Sequence, residues 1–119
     1  MKQPGPDHPI TIARNGRRVR VTFAGRTIAD TASALTLTEA SYPPVFYIQR
    51  ADADMAALTP TAHHTHCPYK GEASYFTIAA DGRTAENAVW SYEAPFPAVA
   101  EIKEHLAFYP NRVDAIEEM

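Results

Sequence analysis

The chain has 119 residues, of which 45% are hydrophobic and 21% are charged, and its formal net charge is -3. This length and composition predict one soluble globular domain with a modest core. The slight negative charge gives no reason to expect nucleic acid or an anionic membrane surface as a partner, so we expect neither. The single cysteine excludes an internal disulfide and a multi-cysteine metal site, and it fits a reducing cytoplasm.

Both ends of the chain differ in composition from the middle. Residues 1–8 are polar and rich in proline and glycine, which predicts a flexible tail, and the acidic residues 115–119 predict a frayed one. Residues 9–114 are expected to form a single β domain. The start of the chain lacks the apolar core of a signal peptide, and no apolar run approaches the ~20 residues that a membrane helix needs. We therefore expect a cytoplasmic protein with no membrane partner.

The first predicted unit is a β-hairpin. Residues 9–14 and 17–23 alternate apolar and polar side chains, as half-buried strands do. The Asn-Gly pair at 15–16 lies between them, and both residue types tolerate the positive φ of a type I′ turn. A two-residue loop would place Ile12 opposite Val19 and give the two strands one shared apolar face.

Further short strands are expected along the rest of the chain. They lie at residues 26–30, 34–39, 45–50, 73–79, 83–85, 88–92 and 106–109. The Asp-Gly pair at 81–82 is a second hairpin signal. A plain two-residue loop there would set Trp90 opposite Ala73, and a bulge around residues 86–87 would shift that pairing.

One helix is predicted near residues 97–105. Pro97 suits the first helical position, where its missing N–H leaves no hydrogen bond unmade. Val99, Ile102 and Leu106 recur at helical spacing and form one apolar stripe. The predicted fold class is therefore mainly antiparallel β, with one short helix late in the chain.

Residues 65–75 hold the densest group of reactive side chains, reading Thr-His-Cys-Pro-Tyr-Lys-Gly-Glu-Ala-Ser-Tyr. Cys67 is a candidate nucleophile because His66 and Lys70 would lower its pKa if they lay against the sulfur. However, adjacent residues of a strand point to opposite faces, so His66 need not touch Cys67. A lone cysteine is more often a small buried apolar residue, and this reading is favoured.

Three histidines next to this cysteine also raise the possibility of a metal site. Imidazole and thiolate groups suit zinc, and His64 and His66 share a side if the segment is extended. A closed zinc site needs four ligands, and the chain has no second cysteine. We therefore predict neither a metal ion nor another cofactor.

Lys70 and Glu72 lie two residues apart and would share one side of a strand. One interpretation is a weak ion pair on the surface. The other is a pocket in which Lys70 meets an anionic group of a substrate or transfers a proton. Gly71 between them would let a ligand approach the backbone closely, which favours the pocket.

Aromatic and acidic side chains elsewhere are candidates for the same pocket. Most aromatic residues belong to a core, but Tyr69, Trp90 and Tyr92 add polar groups that a simple core does not need. Walls of this kind are common in small-molecule sites. Glu39 ends a Leu/Thr strand and is either the acidic partner in the pocket or a surface carboxylate.

Several sequence blocks resemble one bacterial family in the same order along the chain. The blocks are Gly-Arg-Thr-Ile-Ala-Asp-Thr at 25–31, Val-Phe-Tyr-Ile at 45–48, the Thr-x-Cys-Pro-Tyr-Lys-Gly segment at 65–71, Ala-Val-Trp-Ser-Tyr at 88–92 and Ala-Phe-Tyr-Pro at 107–110. Together they resemble domain of unknown function 427, a family sometimes labelled nucleotidyltransferase-like. The resemblance covers residues 9–114 and implies a small curved antiparallel β domain of the tent-like or Mss4-like kind. It implies no reaction.

Two hypotheses about function follow. In the first, the domain binds a small molecule, with or without catalysis, in a pocket around the Cys-Pro-Tyr-Lys-Gly motif at 67–71. Its candidate residues are Lys70 and Cys67 for catalysis and Tyr69, Glu72, Trp90, Tyr92 and Glu39 for ligand binding. In the second, the domain is a non-catalytic interaction module, whose sheet edges would suit a homodimer.

Overall fold

The computed structural model describes all residues from 1 to 119. Ten β-strands and three short 3₁₀ helices form the fold. The strands are β1 Ile10–Arg14, β2 Val19–Phe23, β3 Arg26–Thr31, β4 Leu35–Glu39, β5 Val45–Tyr47, β6 Leu58–Cys67, β7 Gly71–Ala80, β8 Arg83–Ser91, β9 Ala107–Phe108 and β10 Ala115–Glu118. The 3₁₀ helices are Arg50–Asp52, Met55–Ala57 and Pro97–Ile102.

The strands form three antiparallel sheets. Their strand orders are β1-β4-β5, β10-β2-β3 and β6-β7-β8-β9. The mainly β fold class is therefore confirmed. The radius of gyration is 14.0 Å, close to the roughly 13.5 Å expected for one compact domain of this length. No helix of the chain is both long and apolar enough to cross a membrane.

The predicted hairpin between β1 and β2 is wrong. β1 pairs with β4, so that Ile12 faces Leu37, whereas β2 pairs with β3 and β10 in a different sheet. The Asn-Gly pair at 15–16 therefore connects two sheets, and neither residue adopts a positive φ. A type I′ turn is thus absent at this position.

The Asn15 side chain explains this departure. Its Oδ1 accepts a hydrogen bond from the Arg17 backbone N–H at 2.8 Å, a local bond that replaces the hairpin turn. Its Nδ2 donates to Thr36 at 3.1 Å and to Glu118 at 2.7 Å. Asn15 is buried by these contacts. A residue that looked like an exposed turn is instead a junction between three parts of the chain.

The second hairpin follows the sequence signal. Asp81 and Gly82 have φ values of 49° and 80°, and Ala80 pairs with Arg83 across the turn. The bulge anticipated at residues 86–87 is confirmed, because the register between β7 and β8 shifts there. Trp90 consequently lies opposite Tyr75 rather than Ala73.

The predicted helix is present as the 3₁₀ helix Pro97–Ile102. Its apolar stripe is correct, since Val99, Ile102 and Leu106 are fully buried. The helix ends earlier than predicted because Val99 leaves helical geometry, with φ of -124°, and Lys103 takes a ψ of 126°. These two positions limit it to short 3₁₀ turns.

The acidic end of the chain is not frayed, which corrects the prediction. Residues 115–118 form β10 on the edge of β2, with Ile116 packed against the larger core. At the other end, the Lys2 backbone N–H donates to the Pro68 carbonyl at 2.7 Å. Gly5 and His8 exchange backbone hydrogen bonds. Residues 1–8 therefore lie against the Cys-Pro-Tyr-Lys-Gly motif.

Two hydrophobic clusters fill the space between the sheets. The larger one joins the β10-β2-β3 sheet to strands β7 and β8. The smaller one lies between the β1-β4-β5 sheet and the four-stranded sheet, beside the motif. Its buried members are Leu37, Tyr47, Ala73, Tyr75, Tyr92, Val99, Ile102 and Ala107. Three of these are tyrosines, so the smaller cluster carries polar groups into the interior.

Candidate functional site

The motif lies in the connection between β6 and β7. β6 ends at Cys67, and β7 begins at Gly71, whose φ of 110° disfavours any residue with a side chain. The Phe96 backbone N–H donates to the Lys70 carbonyl at 3.0 Å, which ties the connection to the segment before the last helix. The backbone on both sides of Lys70 is therefore fixed.

Lys70 forms a buried ion pair with Glu39. The Lys70 residue is only 8% exposed, and its Nζ donates a short hydrogen bond to Glu39 Oε1. Glu39 ends β4, and its other oxygen is 2.7 Å from His8 Nε2. One carboxylate thus lies between a lysine from the motif and a histidine from the N-terminal segment.

The surroundings of Glu39 act on its pKa in opposite directions. Burial raises the pKa of this carboxyl, but hydrogen bonds from Lys70 and His8 outweigh burial and hold the pKa below its ordinary value of 4.5. Glu39 is therefore ionised at neutral pH, and the Lys70–Glu39 contact is a true ion pair.

The N-terminal segment covers the outer side of this pair. The rings of His8 and Tyr69 stack with centroids 4.0 Å apart and planes 5° apart. Lys2 Nζ lies 5.9 Å from the centroid of the same Tyr69 ring. Tyr69 is therefore an anchor for residues 1–8 in this structure, on the outside of the site.

Tyr47 and Tyr92 lie on the inner side of the site. Burial strongly raises the pKa of both phenols, and the negative charge of Glu39 raises it further. Both hydroxyls are therefore protonated at neutral pH and close enough to Glu39 to feel its charge. The Trp90 indole Nε1 donates to Tyr47 Oη at 3.3 Å, which connects Trp90 to the group.

The Tyr92 hydroxyl has no hydrogen-bond partner in the chain. The residue is only 6% exposed, yet no fully buried side-chain oxygen or nitrogen lacks a partner. The hydroxyl must therefore lie at the accessible edge of the cluster. Lys70 also has spare capacity, because its ammonium carries three N–H donors and only one contacts Glu39.

The structure brings together some of the candidate residues and separates others. Lys70 contacts Glu39, and Cys67, Trp90 and Tyr92 pack in the adjoining cluster. Glu72 lies apart from Lys70, because it is exposed and bonds to His66 Nδ1 at 2.8 Å. The expected Lys70–Glu72 pair is therefore replaced by Lys70–Glu39.

Open space does not reach the motif. Lys70, Cys67, Tyr92 and Glu39 line none of the molecule's cavities. Trp90 instead lines an apolar crevice of about 250 Å³ where the three sheets meet. The site around Lys70 is thus closed, with residues 1–8 on its outer side.

Two residues of this group carry little signal in the sequence. His8 falls in the predicted flexible tail, and its only distinguishing feature is the proline between it and β1. Tyr47 falls in a predicted strand and in one of the blocks that carry the family resemblance. Both meet the motif only through tertiary contacts, with His8 at Glu39 and Tyr47 at Trp90.

The histidines of β6 do not form a metal centre in this structure. No group of three or more His, Cys, Asp or Glu side chains is arranged to hold an ion. His64 and His66 share one cleft, as their spacing predicted, with Glu72 and Glu93 on its walls. His63 lies on the other side of the strand, 4.6 Å from the Tyr75 ring.

Comparison with known proteins identifies the family. The family model described as domain of unknown function (DUF427) matches residues 11–119. The chain therefore belongs to this family, as the sequence blocks indicated. A search of curated proteins found no match.

Proposed function

We propose that this DUF427 domain binds a small molecule with an anionic group at the Lys70–Glu39 site. Two observations carry the proposal. The buried Lys70 ammonium has two N–H donors that Glu39 does not use, and the nearly buried Tyr92 hydroxyl has no partner in the chain and lies close enough to Glu39 for that carboxylate to act on its pKa. Buried polar groups normally make their full set of hydrogen bonds. Groups left without a partner become available to a ligand once the N-terminal segment over this closed site moves aside.

The surrounding chemistry suits an anion more than a cation or a neutral group. Lys70 supplies the positive charge, and Tyr92 supplies a hydroxyl that stays protonated because burial raises its pKa. Cys67 packs against the same cluster and is a free thiol. Glu39 holds Lys70 in place through one oxygen, so the ammonium does not need to rotate to meet a ligand.

Entry to this site requires the N-terminal segment to move. Four contacts hold the segment over the motif: the Lys2–Pro68 hydrogen bond, the Lys2 ammonium over the Tyr69 ring, the His8–Tyr69 stack and the His8–Glu39 bond. Each is a single contact near the surface, so their combined loss costs only a few kcal/mol at most. We expect a His8→Ala variant to bind the ligand more tightly than the natural chain.

The alternative, a homodimerisation module, has less support. The large hydrophobic side chains that are exposed are Met1, Tyr42 and Met119, and two of these are the chain ends. An obligate dimer interface is normally richer in apolar and aromatic side chains. We therefore place small-molecule binding first.

The test is calorimetric titration with inorganic phosphate and with acetate. Tyr92→Phe keeps the ring and removes only the unpartnered hydroxyl, so it should leave stability unchanged and weaken binding about tenfold. Tyr42→Phe is the matched control, because the Tyr42 side chain is exposed and its hydroxyl bonds to nothing in the chain, while its backbone N–H, which donates to the Glu39 carbonyl, is unchanged by the substitution. Absence of saturable binding to both His8→Ala and the natural chain, or equal binding by the two Tyr→Phe variants, would reject the proposal.

A further inference from the structure

A second feature of the molecule lies away from the motif, where two β-bulges face each other across β7. On one side, residues 61–63 stand opposite Tyr75 alone, between the pairs Pro60–Phe76 and His64–Ser74. On the other side, residues 86–88 stand opposite Thr77 alone. Bulges redirect side chains and are frequent beside binding sites. The two bulges interrupt the regular strand pairing on both sides of β7 at neighbouring positions, Tyr75 and Thr77.

A cavity of about 470 Å³, which we call the double-bulge cleft, lies at these two bulges. Its lining residues are His63, Tyr75, Glu86, Asn87, Tyr109 and Arg112. This volume falls within the range of small-molecule sites. Tyr75 packs in the same cluster as Tyr92, but none of these residues bonds to Lys70 or Glu39, so the proposal for the cleft does not rest on the function proposed above.

Hydrogen bonds between the bulges fix the floor of the cleft. Thr61 Oγ1 donates to Asn87 Oδ1 at 2.7 Å, and the Asn87 backbone N–H donates to Thr77 Oγ1 at 3.2 Å. Asn87 also adopts a positive φ of 51°. Its oxygen is engaged, and its amide nitrogen has two N–H donors that bond to nothing in the chain, on a residue that lines the cleft.

Aromatic rings form one wall. The hydroxyls of Tyr75 and Tyr109 are 3.2 Å apart, and Tyr75 also contacts Thr65 Oγ1 at 2.9 Å. Burial and the Tyr75 hydrogen bond raise the pKa of Tyr109 to about 12, so its hydroxyl stays protonated. The wall therefore offers apolar ring surface and neutral hydroxyl groups.

Two opposite charges on this cleft lack ionic partners. Arg112 Nη1 donates to the backbone carbonyl of Glu86 at 3.0 Å, which places the guanidinium on the rim. Neither the Arg112 guanidinium nor the Glu86 carboxylate joins any ion pair of the chain. The guanidinium thus lies against the Glu86 backbone without forming an ion pair with the Glu86 carboxylate. A ligand that carries both charges would complement both groups.

We propose that the double-bulge cleft binds a small zwitterion, an α-amino acid. Its carboxylate would meet Arg112 and the Asn87 amide, because a guanidinium suits a carboxylate geometrically. Its ammonium group would meet the Glu86 carboxylate. Its side chain would lie against the rings of Tyr75 and Tyr109.

The molecule contains a natural reporter for this binding. Trp90 is the only tryptophan of the chain, and its ring lies 4.5 Å from that of Tyr109. Occupation of the cleft should therefore change the tryptophan fluorescence. L-Leucine is a suitable probe, since it neither absorbs nor emits in that range.

The experiment compares, by fluorescence and calorimetry, the binding of leucine with the binding of two analogues that each lack one of its charged groups. Isocaproate keeps the carboxylate and loses the ammonium, and isoamylamine does the reverse. Leucine should bind at least about tenfold more tightly than either compound, since each charged hydrogen bond contributes to affinity. Glu86→Gln should remove the advantage of leucine over isocaproate, and Arg112→Gln should weaken leucine binding about tenfold.

Matched controls are available on the surface. Arg14 and Glu101 are exposed and form no ion pair, so Arg14→Gln and Glu101→Gln should bind leucine as the natural chain does. Equal affinity for leucine and isocaproate would overturn the proposal, as would the absence of saturable leucine binding at millimolar concentration. A loss of leucine binding in the two control variants as large as in the cleft variants would overturn it too. Tyr92→Phe should leave leucine binding intact, which separates this site from the Lys70–Glu39 site.

Discussion

Two ion pairs flank the same short connection, and they differ in almost every physical respect. Lys70 pairs with Glu39 with side chains 11% and 13% exposed, whereas His66 pairs with Glu72 with side chains 56% and 67% exposed. The first joins residues 31 positions apart in sequence, and the second joins residues six apart. Both place a basic side chain against a carboxylate, but only the first is shielded from water.

The difference shows that the contribution of an ion pair to the free energy of unfolding depends on how deeply the pair is buried. In water, the attraction is screened, and ordering two long side chains consumes most of the gain. In a buried site, removing one partner of an ion pair is strongly destabilising, because it leaves the other charge buried and uncompensated. The buried pair should therefore control stability and binding, while the exposed pair should matter little.

The largest expected effect comes from Lys70→Met. This change leaves the Glu39 carboxylate buried without its cation, so we expect a loss of about 3 kcal/mol in the free energy of unfolding, measured by urea denaturation. Lys103→Met is the control, since Lys103 is exposed and should lose less than about 0.5 kcal/mol.

A double variant sharpens this result. Adding Glu39→Leu to Lys70→Met should recover much of the lost stability, because apolar groups of similar size replace both charges. If Lys70→Met lowered the free energy of unfolding no more than Lys103→Met does, burial would not make the Lys70–Glu39 pair important for stability.

An intermediate effect is expected from pH. The folded pKa of Glu39 lies below its ordinary value of 4.5, so the folded state favours the ionised form. The stability that this group contributes is therefore present above that value and is lost as the pH falls through the lower folded pKa. Glu39→Gln should cost about 2 kcal/mol near neutral pH and progressively less in acid.

The measurement is the urea midpoint of both proteins across the acid range. The difference between them should shrink as the pH falls below 4.5. Asp30 and Asp114 also have lowered pKa values, but they remain in both proteins and cancel in the comparison. A difference that stays constant with pH would show that Glu39 does not titrate as argued.

The smallest effect is expected from Glu72→Gln at the exposed pair. The change should cost less than about 1 kcal/mol at low salt, and the cost should fade as salt is added. Thermal unfolding at two ionic strengths provides the measurement. An effect as large as that of Lys70→Met would erase the distinction between the two pairs.

The hairpins show which parts of the fold could be predicted from sequence. Asp81–Gly82 adopted the turn because nothing else in the fold competes for its side chain, and β7 and β8 pair across it. Asn15 carried an equally strong turn signal, but its side chain bonds to Thr36 and Glu118. Those partners are 21 and 103 residues away, and local propensity contains no information about them.

The candidate site was predictable to a similar degree. Lys70, Cys67, Trp90 and Tyr92 were expected near one another, and the structure packs them in or beside the smaller cluster. Glu72 was expected beside Lys70 because strand spacing puts the two on one side. The prediction failed because Lys70 lies before Gly71, where the chain has not yet entered β7.

The sequence by itself determined the class of fold, the family, the β7–β8 turn and the apolar stripe of the last helix. These depend on local residue spacing, turn chemistry and the order of motifs, all of which can be read directly from the sequence. The tertiary structure alone decided the partner of Lys70, the role of His8, the incorporation of residues 115–118 as a strand and the double-bulge cleft. The first three arise where segments distant in sequence meet, and the cleft needs Tyr109 and Arg112 to be packed against the bulges of β6 and β8. No short segment specifies such packing or the strand register that depends on it.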